Sequence, residues 1–154
     1  MIELRPMTKD DYERWLPGNI AEYAAEHVKT GRWTAAEAPR KAREEFDRIA
    51  PQGMATPDHV FYSIVRTSDG TPVGMLWIHA QRPQQRAYVF NIEIFAPFRR
   101  KGHATQALRL LETEARDMGL TSIGLHVFGH NIAAVGLYGK LGYAPTNINM
   151  AKAL

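Results

Sequence analysis

Residues 59–95 hold three runs in which apolar and polar side chains tend to alternate, "HVFYSIVRT", "PVGMLWIHA" and "AYVFNIEIF", separated by "SDGT" and "RPQQR". A period of two is what a strand with unlike faces requires. Asp69-Gly70 supplies the turn chemistry of a hairpin. Connections this short join antiparallel neighbours, because a parallel pair needs a crossover of about a dozen residues or more. The stretch therefore commits the chain to a sheet that other elements must cover. In the last run, strict alternation puts Tyr88, Phe90, Ile92 and Ile94 on one face and Val89, Asn91, Glu93 and Phe95 on the other.

The flanking sequence supplies the cover. "IELRP" reads as a short strand, and "MTKDDYERWL" as a helix with Thr8 as its N-cap. Further helices fit "IAEYAAEHVKTG" and "TAAEAPRKAREEFDRIA", the latter capped by Thr34, with Pro39 early in it or kinking it. After the three strands, Ala104, Ala107, Leu108, Leu111, Ala115 and Met118 recur at helical spacing, and Gly119 is the stop. "TSIGLHVFG" is another strand, "NIAAVGLYGKLG" another helix and "INMAKAL" a closing strand. This order predicts one domain over 1–154, of α/β (α+β) class, with a mixed, mostly antiparallel twisted sheet and helices on both faces.

Charge narrows what such a domain binds. Residues 1–58 carry 9 Lys/Arg against 11 Asp/Glu, whereas 59–154 carry 10 against 5. An anion is therefore expected on the second part. The chain has no cysteine, which excludes disulfides, thiolate metal sites and a cysteine nucleophile. The six histidines show no metal-ligand spacing, so no metal is expected. The start "MIELRPMTKDD" lacks the charge-then-apolar pattern of a leader, and no apolar run reaches the roughly 18 residues of a membrane span. A soluble, cytoplasmic protein with no membrane partner is the expectation.

The basic residues concentrate in "APFRRKGHATQAL", where Arg99, Arg100 and Lys101 stand at the mouth of a helix. Cations oppose the positive end of the helix dipole, so an anion belongs there. Unpaired N–H groups of a first turn suit a diphosphate, and Gly102 and small Ala104 let it approach the backbone. "RRKGHA" matches R/Q-x-x-G-x-G/A just after a strong strand, and "NIAAVGLYGKLGY" follows about 27 residues later. With the opening "IELRPMTKDD", these motifs resemble the GCN5-related N-acetyltransferase (GNAT) family over nearly the whole chain.

The resemblance implies about six or seven strands and an acetyl-CoA-dependent transfer of an acetyl group directly to a primary amine of a small molecule or peptide. It implies that Arg99, Arg100, Lys101, Gly102, His103, Ala104 and Thr105 hold the pyrophosphate, His103 being an exposed member of that loop. Ile92, Ile94 and Ala96 would pair with pantetheine, and Gly124 and Gly129 would let the next strand diverge. Asn131 and Ala134 would hold the pantetheine arm, and Tyr138 would approach the cofactor sulfur. Two turns separate Asn131 from Tyr138, returning both to nearly one helix face. Homodimers are frequent in such proteins.

A lysine-like acceptor amine, with a pKa of about 10.4, must shed a proton before attack, and the departing thiolate must gain one. Tyr138 is the candidate donor. His126 and Glu93 are both candidate bases. In relatives that acetylate ribosomal-protein N-termini, a glutamate base stands where His126 does. Tyr23, His27, Trp33 and His79 are the candidate acceptor-binding residues, and Glu22 and Glu26 would attract a cationic amine. A silent CoA-binding or regulatory domain would keep the loop without the chemistry. A nucleic-acid-binding module would need basic residues along a face, whereas the helix after Lys101 carries Glu112, Glu114 and Asp117. No nucleic-acid partner is expected.

Overall fold

The computed structural model describes every residue from Met1 to Leu154. Five strands and four helices run β1 (Ile2–Pro6), α1 (Lys9–Lys29), α2 (Ala38–Ile49), β2 (His59–Arg66), β3 (Pro72–Gln81), β4 (Arg86–Ile94), α3 (His103–Asp117), β5 (Ser122–Leu125) and α4 (Ile132–Lys140). The strands form one sheet in the order β1-β2-β3-β4-β5, with antiparallel pairing from β1 through β4. The chain makes two compact units, Met1–Gly124 and Leu125–Leu154. No helix is long and apolar enough to cross a membrane.

In the first unit, Phe61, Met75 and Trp77 lie on one sheet face and pack with Trp15 of α1 and Phe46 of α2. On the opposite face Ile64, Leu76 and Ile78 are fully buried, as are Leu108 and Leu111 of α3. The α3 helix lies against β1 and β4. The Tyr62 hydroxyl donates to the Glu114 carboxylate across that layer at 3.4 Å.

Several local expectations needed revision. The first two predicted helices are one, because α1 runs through Pro17. Thr8 caps it by accepting from the Asp11 N–H at 3.1 Å. Thr34 and Glu37 form a reciprocal capping box one turn ahead of α2, the Glu37 N–H donating to the Thr34 hydroxyl and the Thr34 N–H to the Glu37 carboxylate. Pro39 sits at the start of α2. Strand β5 stops at Leu125, so His126 lies outside any strand, and "INMAKAL" forms no strand. The sheet accordingly has five strands rather than six or seven.

The alternation in β4 also breaks. Trp77 pairs with Asn91 but Ile78 pairs with Val89, which leaves Phe90 as an extra residue in a β-bulge. Tyr88, Asn91 and Glu93 consequently share the face of His79, Trp77 and Met75, their cross-strand partners. Phe90 joins them by stacking on Trp77 at 4.8 Å.

Candidate functional site

The backbone between β4 and α3 is set up for an anion. Arg100 and Gly102 both have left-handed backbone, with φ of 62° and 77°. For Arg100 that conformation is uncommon, and such outliers concentrate at functional loops. No side chain caps α3, its first turn holds no acid, and the first N–H bonded back into it is that of Gln106, to Gly102 O at 3.1 Å. The N–H groups ahead of it thus lack intrahelical acceptors. Nothing stands within 4 Å of where a Gly102 Cβ would be, so the space over the turn is open. Arg99, Arg100 and Lys101 are exposed around this cradle. The Arg99 side chain donates from Nε to the Ile94 carbonyl at 2.8 Å, occupying one of the backbone groups expected to face pantetheine.

His103 is buried rather than exposed, and its Nδ1 has no hydrogen-bond partner. Burial lowers its pKa, and the nearby N-terminal amine, Lys101 and Arg66 add to the effect. Its burial helps seat the helix start.

Glu93 is half-buried on β4. Burial raises its pKa first, and the negative charge of Glu22 raises it further; Trp15 and Arg99 oppose the shift. A carboxylate held partly out of water beside a second acid attracts a cation and takes up a proton readily. Its position depends on Gly74 across the pair in β3. A Cβ there would stand 2.2 Å from the Glu93 carbonyl oxygen, so only glycine lets the two strands meet at that point. Next to it on the same face, Asn91 Nδ2 donates to Asn19 Oδ1 of α1 at 2.5 Å.

The candidate acceptor residues fall into two groups. Tyr23, His27 and Trp33 come together, with ring centroids 4.4 Å apart for Tyr23–His27 and 4.6 Å for His27–Trp33. The Arg32 guanidinium covers the Trp33 ring at 4.7 Å and pairs with Glu45 at 3.3 Å. His27 and Trp33 are buried in this joint between α1 and α2. His79 lies elsewhere, stacked on His59 at 4.2 Å with the planes only 9° apart. Trp77 Nε1 donates to His59 Nδ1 at 3.0 Å, and burial lowers the His59 pKa to about 4, with His79 adding to the shift and Asp58 opposing it. The sequence reading did not single out His59 or Gly74. The pairing of "HVFYSIVRT" with "PVGMLWIHA" held the clue to His59, since it sets His59 opposite His79.

In the second unit, Asn131 caps α4, its Oδ1 accepting from the Ala134 N–H at 3.2 Å. That cap satisfies a first-turn donor and leaves the Asn131 amide N–H₂ for other partners. Tyr138 packs edge-on against Tyr143 at 5.6 Å, and burial raises its pKa. A phenol held protonated is a donor over the whole neutral range. His126 is exposed, its ring against Phe128 at 4.9 Å. Gly124, at the end of the first unit, leaves room for a side chain: a Cβ there would meet Arg86 Cδ at 2.8 Å.

The acetyltransferase (GNAT) family matches residues 20–143. The uncharacterized N-acetyltransferase YycN of Bacillus subtilis is 37% identical over 99% of this chain and 99% of its own length. Its crystal structure superposes with a TM-score of 0.93, covering 100% of this chain and 99% of that one. YdgE of the same organism, also an uncharacterized N-acetyltransferase, is 36% identical over 98% of this chain and 97% of its own. The PaiA N-acetyltransferase of Thermoplasma acidophilum, solved in complex with coenzyme A, shares the fold at a TM-score of 0.69 and 16% identity, over 97% of this chain and 93% of that one. The chain belongs to the GNAT family and is an N-acetyltransferase.

Proposed function

We propose that the protein transfers an acetyl group from acetyl-CoA directly to the primary amine of a small molecule or peptide. The observation that carries this reading is the uncapped start of α3, with left-handed Arg100 and Gly102 beneath open space and three exposed cations around it. That donor set fits a diphosphate. The coenzyme A bound to PaiA supports the same ligand here. Arg99, Arg100 and Lys101 and the N–H groups from Gly102 to Thr105 hold the pyrophosphate. Backbone groups of Ile92, Ile94 and Ala96 hold the pantetheine; in the second unit the family motif assigns the amide of Asn131 and the start of α4 at Ala134 to that arm.

The bound thioester supplies an activated acetyl carbonyl. The chain's residues manage the protons: the C–S bond breaks as an N–C bond forms, the amine gives up one proton and the thiolate gains one. Glu93 takes the amine proton, favoured over His126 because its carboxyl is partly desolvated and flanked by Glu22. Tyr138 donates to the thiolate, its phenol kept neutral by burial. Of the candidate acceptor residues only Tyr23 and His79 are not buried, and they lie in separate clusters. We place the protein in the cytoplasm.

The test is thiol release from acetyl-CoA across a panel of amines and peptides, for the wild type and for Glu93→Gln and Tyr138→Phe. The rate of the wild type rises with pH through a pKa above the usual carboxylate value, and Glu93→Gln loses that limb. Tyr138→Phe lowers turnover by about 10²-fold or more while leaving acetyl-CoA affinity nearly constant. Acetyl-CoA binding without thiol release for any acceptor identifies a silent CoA-binding domain instead.

A further inference from the structure

A cavity of about 370 Å³ lies between α1 and the strands β2 and β3, near the end of β4. Its walls include Met7, Trp15, Ser63, Met75 and Phe95. Two of these walls are fixed by the position of Glu93 itself. Met75 is its directly paired neighbour on β3, and such partners stand with Cβ atoms about 4.5–5.5 Å apart. Phe95 follows two positions along the chain, and Trp15 is close enough to the carboxyl to influence its charge. Residues that line the cavity thus flank Glu93 along β4 and across from it on β3. The lining is mainly apolar, and its charged pair, Asp11 and Arg14, is internally neutralised by a salt bridge.

An apolar chamber next to a pair of acids selects an amine with two unlike ends. Glu93 and Glu22 draw the ammonium, while the chamber removes an apolar body from water. A cavity of about 150 Å³ lined by aliphatic and aromatic side chains is enough to hold benzene, so this one accommodates an aryl-alkyl group. A polyamine would place a second cation among Met7, Met75 and Phe95, where no anion is free to receive it. We infer that this cavity is the acceptor's specificity pocket, and that the acceptor is a primary amine carrying an aryl or branched alkyl body. This rests on the reading of Glu93 as the group that receives the amine.

The probe is 2-phenylethylamine, with ethanolamine and spermidine for comparison. With the methionine methyl groups labelled for NMR, 2-phenylethylamine shifts the Met7 and Met75 signals saturably and leaves that of Met118, at the end of α3, in place. Its kcat/KM exceeds that of ethanolamine by at least about tenfold. Ser63→Leu, which fills the chamber, reverses that preference. If that variant does not fold, the wild-type shifts and rates still decide. Unmoved Met7 and Met75 signals, shifts without acetylation, or equal or faster acetylation of spermidine or ethanolamine would each overturn the pocket assignment while the acetyltransferase reading stands. Failure of acetyl-CoA to bind, with no thiol released from any amine, would overturn that reading instead.

Discussion

Gly74 shows how one residue outside every motif controls the candidate base. Adding a methyl group drives the Glu93 backbone away from β3, so Gly74→Ala is expected to cost about 1–3 kcal/mol and to lower turnover. Urea unfolding and acetylation rate measured on one preparation check this, and unchanged values for both would contradict the close approach. His59 gives the second prediction. Its pKa falls from 6.5 to about 4 on folding, so the unfolded chain binds the extra proton first. Its contribution is complete above pH 6.5 and is lost as pH falls from there toward 4. After solvent screening the loss is about 1–2 kcal/mol, and His59→Phe flattens that part of the stability profile. Neither residue was legible from its surroundings in the sequence, because each acts through a cross-strand neighbour that only the register identifies. The cations at Arg99–Lys101 and their exposure ahead of α3 were legible, since the turn, Gly102 and the helix that follow are their sequence neighbours.

Among the elements, those with strong periodicity and explicit caps appear where the sequence puts them: the three-stranded meander, α3 and α4. Pro17 was misleading as a boundary. The helix tolerates it because Trp15, Leu16 and Ile20 on either side pack against the core. In β4, the bulge at Phe90 hides from a period-two pattern, since one extra residue exchanges the faces without changing composition. It matters for the site, as it gathers Tyr88 and Phe90 onto the face of Asn91 and Glu93. At Thr8 the cap predicts that Thr8→Ala costs about 1 kcal/mol of stability, read from the shift of the urea midpoint. At the start of α3, Gly102→Val places a β-branched residue at φ 77°. That substitution is expected to weaken acetyl-CoA binding at least about tenfold, because the N–H groups of the turn lose their common direction. Titration of the variant with acetyl-CoA checks it, and wild-type affinity would contradict the cradle.

At the scale of the whole molecule, charge and chain order separate the tasks. Residues 1–58, with α1 and α2, carry the acidic excess, of which Glu22 acts on Glu93, and the basic excess lies in residues 59–154, which include the turn before α3. Under the proposed function, a cationic amine and an anionic cofactor are drawn to different parts of the chain. The second unit, Leu125–Leu154, holds Asn131 as the N-cap of its one helix and Tyr138 within that helix. Its motif was readable letter by letter, whereas the strands expected on either side of it were not formed as expected. β5 ends at Leu125, and the segment after α4 lacks regular structure. Short apolar runs without caps or turn signals say little about strand length. The central claim is the cradle at the start of α3, and calorimetric titration of the intact protein with acetyl-CoA tests it most directly. One site per chain with micromolar affinity that weakens as salt rises is the expected result; absence of binding, with duplex DNA retained at physiological salt, would contradict the cradle.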